Sequence, residues 1–498
     1  MHTARLAGTL TTAPSLWGDD LRSLAANVEL LEVRADRMGH LDPDWLRSHF
    51  RGTLLYTLRS TAEGGACDAA PEERHRRLRR AAHHYDLVDL EAERDLVPEL
   101  LAQIPPGQRL VSWAGPATDA HSLRLRAQRL TSVDARLYKL VPEAAVNSDG
   151  LPPLEVLRAM NRRDLIAFAG GVAGFWSRLL ALQVGAPFVF GSVSTETRSL
   201  SEPAIAQLVQ DYGLPRSPRP DDLFGIVGNP LTHSLSPRLH NTAYRALGMP
   251  AFFVPFQEEH FSNFWRDMVE PDPLARLGIS IAGLTVVSPH KEMPLEVGAC
   301  GTAIVRRAHS ANIVVRNNGG WRSDTTDPQG VAVALRERGI AITRQKAAVI
   351  GCGGAGRAVA AALDQLGADV TLVNRSLDRG LRAQRLLQLP FRPLAGFSPR
   401  NYSTVVNATP VGRDGESLPF DIAEMSKGSS IVDLTYGLEE TPLIRRAHAL
   451  GLTAVDGLEV CLIQVRHQFR IMTGLDMPTP ASAERAESRA EACSTGRR

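Results

Sequence analysis

KAAVIGCGGAGRAVAAALDQLGADVTLVNRS, residues 346–376, contains the strongest nucleotide-binding signal in this chain. An apolar run enters a glycine-rich turn, and an alanine-rich segment with high helix propensity then leads to a second apolar run, VTLVN. This order of strand, turn, helix and strand predicts a parallel α/β unit that binds a dinucleotide. Glycines let the turn close and let the backbone approach a pyrophosphate, whose charge is favoured by N–H groups at the helix start. The predicted cofactor contacts in this turn are Gly351, Gly353, Gly354, Ala355 and Gly356.

The end of the second apolar run indicates which dinucleotide binds. Asn374 and Arg375 stand where an NAD enzyme usually carries an acidic residue for the ribose hydroxyls. A guanidinium suits a 2′-phosphate instead, and Arg379 is a second candidate for this contact. The alternative is that Arg375 is a solvated loop residue. We predict a Rossmann NADP-binding lobe, with Asn374, Arg375 and Arg379 at the cofactor.

Eight apolar runs, separated by amphipathic stretches, fill the chain before this region, up to Tyr212. The β/α rhythm predicts a parallel sheet covered by helices, and eight repeats fit a (β/α)8 barrel. An open sheet with fewer strands is the alternative. Polar or charged residues end most runs, where a barrel places its chemistry, and this favours the barrel. The runs are RLAGTLTT, VELLEVRAD, TLLYTLRS, YDLVDLEAE, RLVSWAG, ARLYKLVPE, DLIAFAGG and PFVFGSV.

Composition shifts suggest the domain boundaries. The segment GLPRSPRPDD, residues 213–222, concentrates Pro, Arg and Asp between two periodic regions, which is typical of a linker. The last residues are small, charged and proline-bearing, which predicts a disordered tail. The predicted organisation is a barrel over 1–214, a linker over 215–222, a substrate-binding lobe over 223–325 completed by 457–476, an NADP-binding lobe over 326–456 and a tail over 477–498.

Bulk properties exclude several classes of function. The formal net charge of +2 is too small for a general attraction to nucleic acid or membrane, and the basic stretch at 72–80 fits the outside of a barrel helix. Because no apolar run has the length of a signal peptide or a membrane span, we expect a cytoplasmic protein with small-molecule substrates. Five cysteines without C-x-x-C spacing predict neither a metal site nor a disulfide framework. The sequence leaves open whether the chain forms a homo-oligomer.

Seven motifs in the second half occur in the order found in shikimate dehydrogenases: GIVGNPLTHSLSP, SPHKEMP, GCGGAGRA, NRS, NATPVG, VDLTYG and GLEVCLIQVRHQF. The chain resembles that family from about Leu223 to Gly474. The resemblance implies NADPH-dependent, reversible reduction of 3-dehydroshikimate to shikimate. In the oxidative direction, this reaction needs a group that removes the hydroxyl proton as the hydride leaves. The resemblance assigns that role to Lys291, with Asp327 as its partner.

The same resemblance implies further contacts with substrate and cofactor. Ser234 and Ser236 would bind the substrate carboxylate, because hydroxyl groups can donate hydrogen bonds to an anion. The other implied substrate contacts are Asn312, Tyr436 and Gln464. The residues that would line the nicotinamide side are Asn407, Thr409 and Gly457.

The sequence departs from the family pattern in two motifs. The family's Asn-x-Thr-x-Pro-x-Lys has Thr285 and Val287 in place of its first two polar residues, and Asn-Thr-Asp becomes Thr325, Thr326 and Asp327. Val287 therefore occupies the position of a threonine that faces the substrate in the family. Loss of one hydroxyl from a buried polar site leaves a substrate group unpaired, so we expect lowered affinity or an altered substrate preference.

The predicted barrel resembles type I 3-dehydroquinate dehydratase from about Leu6 to Tyr212, through ELLEVRAD, LYTLRSTAEGG, YDLVDLE and ARLYKLVP. The resemblance implies that Lys139 forms an imine with the substrate ketone, which acidifies the adjacent C–H bond. Arg178, in GFWSRL, matches the arginine that binds the substrate carboxylate. The other residues that it implies at the substrate are Glu32, Arg34, Arg59 and Glu63.

The barrel lacks two features of the dehydratase family. Ala114 occupies the position of the catalytic histidine, and STETRSLS at 194–201 replaces a loop that carries a glutamine. Without a general base we expect a loss of about a hundredfold to ten-thousandfold in dehydration, unless another group substitutes. His83, His84 and His121 are conceivable substitutes, although they lie away from the matching strand end.

The leading hypothesis is therefore an active NADP-dependent shikimate dehydrogenase fused to an impaired or repurposed barrel. Two enzyme alternatives keep both activities or make the second half a quinate dehydrogenase, which Val287 leaves open. The alternative of another class is a non-catalytic regulator similar to fungal quinate-pathway repressors. The survival of Lys291, Asp327, the glycine turn and Arg375 argues against it.

Overall fold

A computed structural model describes residues 5–12, 27–39, 41–193, 199–216, 219–317, 320–437 and 439–478. The chain divides into two compact units, the first formed by Met1–Gly225 with Pro230–Ile281 and the second by Ile226–Asn229 with Ala282–Arg498. Most of the predicted tail lies outside the described residues, as does 194–198 of the replaced barrel loop. The predicted domain boundaries stay a prediction.

Eight parallel strands form the sheet of the first unit, and each arises from one of the eight predicted runs. In the order β7-β6-β5-β4-β3-β2-β1-β8, each strand pairs with its neighbours to give a nearly closed barrel, which confirms the predicted fold class. Its strands are β1 Arg5–Leu10, β2 Val28–Arg34, β3 Thr53–Thr57, β4 Leu87–Glu91, β5 Arg109–Pro116, β6 Leu137–Glu143, β7 Leu165–Ala167 and β8 Phe188–Ser192.

Helices alternate with these strands and cover the barrel. Pro71–Ala82, the helix that contains the basic stretch, buries Arg74, Leu78 and Ala81 on one face and leaves most of its other residues in contact with solvent. This is the exterior position that the sequence predicted. The other helices of the barrel are Ala35–Met38, Pro43–His49, Pro98–Leu101, Ala120–Leu130, Leu151–Met160, Gly171–Val184 and Ile205–Tyr212.

A second sheet has six strands in the order β10-β9-β11-β13-β14-β12. They are β9 Asp222–Gly228, β10 Ala251–Gln257, β11 Ser280–Val286, β12 Cys300–Gly301, β13 Ile313–Asn317 and β14 Gly320–Asp324. The α-helices between them are Ser236–Ala246, Phe261–Phe264, Met293–Glu296 and Ala303–Ala308. β13 pairs antiparallel with both β11 and β14, so this sheet is mixed.

The third sheet is the predicted Rossmann lobe. Its strands pair in parallel in the order β17-β16-β15-β18-β19-β20. Successive strands are added toward one edge of the sheet from β15 to β17 and toward the other edge from β18 to β20, so the strand order reverses between β15 and β18. The strands are β15 Lys346–Ile350, β16 Asp369–Asn374, β17 Phe391–Pro393, β18 Thr404–Asn407, β19 Ser430–Asp433 and β20 Thr453–Val455. The helices are Asp327–Glu337, Gly354–Gln365, Leu377–Leu387, Pro442–Ala449 and Gly457–Thr473. Such a reversal opens a crevice at the carboxyl ends of the strands, where ligands bind in this architecture.

Within the described part of the chain, no helix is long and apolar enough to cross a membrane.

Candidate active sites

Lys291 and Asp327 form a close ion pair in the second unit. The Lys291 Nζ lies 2.9 Å from Oδ1 and 2.7 Å from Oδ2 of Asp327. The carboxylate side chain is 1% exposed and the lysine side chain 18% exposed, so the lysine alone reaches solvent. Asp327 begins the helix Asp327–Glu337, where the helix dipole favours a negative charge. The structure therefore joins the two residues that the sequence assigned to proton transfer.

Two amide side chains hold the Asp327 carboxylate in place. Asn312 donates from Nδ2 to Asp327 Oδ1 at 3.1 Å, and Gln464 donates from Nε2 to the same oxygen at 3.0 Å. Asn312 is itself fixed, because its Oδ1 accepts the backbone N–H of Thr326 at 2.8 Å. Two of the predicted substrate contacts are thus part of the same network as the ion pair.

Lys291 also packs directly against the glycine turn. A Cβ atom built on Gly354 would lie 2.8 Å from the Lys291 Cβ and 2.6 Å from the Ser310 Oγ, which is too close for a real methyl group. Gly356 is still tighter, because its Cβ would overlap the carbonyl oxygen of Gly351. Gly354 therefore lets the glycine turn and Lys291 approach each other, and Gly356 lets the turn itself close.

The glycine turn leaves open space next to the start of the helix Gly354–Gln365. Gly351 has a φ of +106°, and the helix begins at Gly354, with Gly353 as its N-cap. A Cβ on Gly353 would meet nothing within 4 Å, which leaves open space beside the turn. The predicted contacts of Gly351, Gly353, Gly354, Ala355 and Gly356 with a cofactor are consistent with this geometry.

Asn374 fixes the turn to the end of β16. Its Oδ1 accepts the Cys352 N–H at 3.0 Å, and its Nδ2 donates to the Ser376 carbonyl at 2.9 Å. Arg375 and Arg379 follow on the surface, one on each side of Ser376. No acidic residue follows β16 until Asp378, and both guanidinium groups are exposed, so contact of Arg375 and Arg379 with a 2′-phosphate stays a prediction.

Asn407, Thr409 and Gly457 lie near the ends of β18 and β19, where Asn407 contacts the buried carboxylate of Asp433. Asn407 donates from Nδ2 to Asp433 Oδ1 at 2.9 Å and accepts the Thr409 hydroxyl at 2.7 Å. Burial raises the pKa of Asp433, against the lowering effect of the Thr441 hydroxyl that donates to it. A Cβ on Gly457 would lie 2.3 Å from the carbonyl oxygen of Thr435, so only glycine fits there. The sequence had not identified Asp433 as the centre of this group.

Ser234 and Ser236 belong to the first unit, near the start of the helix Ser236–Ala246. The Ser236 N–H donates to the Ser234 Oγ at 3.4 Å, so the two serines share one turn. Tyr436 lies in the loop after β19 and is partly buried.

The departures from the family pattern leave polar atoms without partners. Among the described residues, the hydroxyls of Thr285 and Thr325 are buried and make no hydrogen bond. Val287 contributes a backbone N–H that donates to the Val227 carbonyl at 3.0 Å, and its side chain brings no polar group.

The barrel contains a second lysine–carboxylate pair. Lys139, on β6, donates from Nζ to Glu32 Oε1 at 3.2 Å, and its ammonium also lies 3.8 Å from the centre of the Phe190 ring. Burial lowers the pKa of Lys139, against the raising effect of Glu32. Burial would raise the pKa of Glu32, but the charges of Lys139 and Arg34 and the Thr9 hydrogen bond together lower it to about 2.

Three of the predicted barrel residues have other charged or backbone partners. Arg59 donates to Asp89 at 2.7 Å and to Glu63 at 2.8 Å, and Arg34 forms a two-pronged pair with Asp36. Arg178 lies over the Phe168 ring and donates to two backbone carbonyls, while its buried Nε makes no hydrogen bond in the described structure. Burial lowers the pKa of Arg178 to about 10.

The three histidines considered as substitute bases, His83, His84 and His121, are exposed. The position of the family histidine, Ala114, is near the end of β5 and donates its N–H to Glu63 Oε2 at 2.9 Å.

The small number of lysines is a further feature of the sequence, and the motifs described above do not depend on it. The chain has four lysines, at 139, 291, 346 and 427, among its 56 basic residues. Two of the four are paired with buried carboxylates at the predicted sites.

Comparisons with known proteins match each half of the chain to a different family. The type I 3-dehydroquinase family model matches residues 17–216, and the shikimate dehydrogenase substrate binding domain model matches residues 226–314. The shikimate dehydrogenase (NADP(+)) of Methanothrix thermoacetophila is 34% identical over 269 residues, which are 51% of this chain and 93% of that protein.

Two solved structures are also similar. Shikimate 5-dehydrogenase from Thermus thermophilus, in complex with NADP(H) and shikimate, is 30% identical with a TM-score of 0.48, over 54% of this chain and 99% of that one. The dehydroquinate dehydratase and shikimate dehydrogenase of S. pombe AroM is 22% identical with a TM-score of 0.43, over 97% of this chain and 98% of that one.

Proposed function

The chain belongs to the shikimate dehydrogenase family, and from this premise we propose that its second half catalyses NADP-dependent, reversible reduction of 3-dehydroshikimate to shikimate. The observation that carries the proposal is the Lys291–Asp327 pair beside the glycine turn. A non-catalytic regulator would have no need to keep a lysine and a carboxylate 2.7 Å apart in this position. A cytoplasmic location is part of the same proposal.

The residues of the chain fit NADP as the cofactor. The open space beside Gly353 accommodates a pyrophosphate, and Arg375 and Arg379 offer positive charge for a 2′-phosphate. When bound, NADP supplies the acceptor or donor of the hydride.

Proton transfer falls to Lys291. In the oxidative direction its Nζ takes the proton of the substrate hydroxyl, and in the reductive direction it returns a proton to the alkoxide oxygen. Asp327 holds the ammonium, and Asn312 and Gln464 keep the carboxylate from rotating. Ser234 and Ser236 would bind the substrate carboxylate, and Tyr436 would contact a substrate hydroxyl.

The test is NADP+ reduction with shikimate or quinate, comparing the intact protein with Lys291→Ala. We expect turnover with shikimate and a loss of about a hundredfold to ten-thousandfold in kcat for the variant. Lys427→Ala, which removes an exposed lysine, is the matched control and should retain the full rate. Turnover with quinate alone would transfer the proposal to a quinate dehydrogenase, and turnover with neither substrate would refute it.

For the first half we propose imine formation at Lys139 with 3-dehydroquinate, followed by dehydration that is slower than in relatives with the histidine. The burial of Lys139 supports the imine step, because burial lowers the pKa of its amine more than the neighbouring Glu32 raises it, and the amine then loses its proton more readily than one in water.

A further inference from the structure

The Glu63 carboxyl group has a free oxygen inside the barrel. Its side chain is 3% exposed, and its Oε1 is buried without a hydrogen-bond partner among the described residues. A buried carboxylate oxygen normally accepts at least one hydrogen bond, so an unused acceptor here is available to a substrate. Glu63 ends a short helical turn, Thr61–Glu63, which follows β3 at the carboxyl end of the barrel strands.

The other oxygen of Glu63 is held firmly. Its Oε2 accepts the Ala114 N–H at 2.9 Å and the Arg59 Nη1 at 2.8 Å. The same Arg59 nitrogen donates to the Ser112 Oγ at 3.1 Å, and Ser112 on β5 is the direct register partner of Lys139 on β6. Glu63 is therefore tied, through one guanidinium, to the strand position next to the imine lysine.

Ala114 lies directly beside this carboxyl group, since its N–H donates to Glu63 Oε2. Its methyl side chain occupies the position where the dehydratase family carries an imidazole, and its residue is only partly buried. A substrate can therefore approach Glu63 without an intervening side chain at position 114.

The charges around Glu63 suit a proton carrier near neutral pH. Burial raises its pKa to about 7, against the lowering effects of Arg59 and the Ala114 N–H, while the carboxylates of Glu91 and Asp89 raise it further. A group whose pKa lies near the working pH can both accept and return a proton.

We propose that Glu63 is the catalytic proton-transfer residue of the barrel, in place of the absent histidine. The inference rests on the imine chemistry proposed above for Lys139. The Lys139 amine condenses with the ketone and releases water, and the Glu63 carboxylate then removes a proton from the carbon next to the imine. The electron pair of that C–H bond forms an enamine.

The second step regenerates both groups. The enamine electrons expel the hydroxyl group on the next carbon as a carbon–carbon double bond forms, and the Glu63 carboxyl group gives its proton to that hydroxyl, which leaves as water. Hydrolysis of the imine consumes one water, releases the unsaturated ketone and restores the Lys139 amine. The net change is the loss of one water from the substrate.

The experiment uses the full-length protein with 3-dehydroquinate and has two readouts. Borohydride reduction followed by mass spectrometry measures the imine at Lys139, and assignment is direct because the chain has four lysines. Formation of the unsaturated ketone measures dehydration. The variants are Glu63→Gln, Glu63→Asp and, as matched control, Glu72→Gln at an exposed position.

We expect Glu63→Gln to keep the borohydride adduct and to lose dehydration by about a hundredfold. Wild-type dehydration should rise with pH through about 7, since the carboxylate is the active form, and this rise should be absent in Glu63→Gln. Glu63→Asp should retain part of the rate and the pH dependence, which tests the carboxylate even if the glutamine variant is unstable. Glu72→Gln should match the wild type.

Three results would overturn the inference. Glu63→Gln that dehydrates at the wild-type rate would remove Glu63 from the reaction while leaving the imine at Lys139 intact. A wild-type adduct without dehydration would show that no proton carrier is present. No adduct in the wild type would refute the imine chemistry proposed for the barrel, and the role of Glu63 with it; the dehydrogenase proposal would stand.

Discussion

Lys139 and Lys291 each pair with a buried carboxylate, whereas the chain otherwise relies almost wholly on arginine for positive charge. The two side chains differ in chemistry. Arginine stays charged at any physiological pH and binds anions through a planar fork, while lysine can lose its proton and act as a base or nucleophile. In a chain with only four lysines, the two that pair with buried carboxylates are the ones at the predicted sites.

Arg375 shows the complementary use of a permanent charge. We predict that Arg375→Ser raises the KM for NADP+ about tenfold to a hundredfold and changes the KM for NAD+ little, because a charge-assisted hydrogen bond to a phosphate contributes about 1.5–3 kcal/mol. Steady-state kinetics with both cofactors measures the effect. Arg382→Ser, at an exposed arginine of the helix Leu377–Leu387, is the control and should leave the ratio of the two constants unchanged. An unchanged KM for NADP+ would assign Arg375 to the solvated surface.

At the scale of single elements, the strand–turn–helix unit around Gly354 packs against Lys291, the lysine that we propose for proton transfer. Position 354, the first of this helix, has no room for a side chain, because the Lys291 Cβ and the Ser310 Oγ occupy the space. Helix propensity by itself favours alanine over glycine by about 1 kcal/mol. Helix propensity therefore favours alanine at position 354, whereas the packing of Lys291 and Ser310 requires glycine.

We predict that Gly354→Ala displaces Lys291 and lowers kcat for shikimate oxidation about tenfold to a hundredfold, since a shift of roughly an ångström in a catalytic group has effects of this size. Gly107→Ala is the matched control, because an added methyl there meets no atom within 4 Å and should leave kcat unchanged. Circular dichroism checks that both variants fold. An unchanged kcat in Gly354→Ala would show that Lys291 adapts to the added methyl group.

At the scale of the whole molecule, the segment 230–281 packs on barrel helices within the first unit. The Trp176 ring, on the helix Gly171–Val184, lies 5.7 Å from the Phe256 ring of β10. Asn147 donates to the Gln257 carbonyl at 2.9 Å, and Asn241 donates to the Asp211 carbonyl at 3.0 Å. The Gln257 side chain in turn accepts the Leu231 N–H, in the loop that leads to Ser234. The barrel thus supports a part of the chain that carries predicted dehydrogenase residues.

We predict that Trp176→Ala lowers the free energy of unfolding by about 3–5 kcal/mol, because truncation of a fully buried aromatic side chain leaves a cavity. Denaturant titration followed by circular dichroism measures this. Leu125→Ala, at a half-exposed position on a barrel helix, is the control and should change stability by less than about 0.5 kcal/mol. Equal stability of Trp176→Ala and the wild type would mean that the barrel and residues 230–281 unfold independently.

Local patterns in the sequence were sufficient for the elements and for the chemistry of single motifs. The eight barrel strands and the glycine turn follow from short-range periodicity and from the conformational freedom of glycine, which act over a few residues. The pairing of Lys291 with Asp327 was assigned through resemblance to a family, because nothing in the spacing of 36 residues requires contact.

Contacts between residues that are far apart in the chain became evident only from the fold. Gln464 reaches Asp327 across 137 residues, and Glu63 meets the Ala114 N–H across 51. Such contacts depend on the order of the strands in each sheet and on the paths of the loops. The alternation of apolar and polar residues along the chain does not specify either of them. The strands, the glycine turn and the two lysines could be predicted from the amino-acid sequence. The free oxygen of Glu63 and the packing of 230–281 on the barrel could not, because they arise when folding brings together residues that no local interaction links.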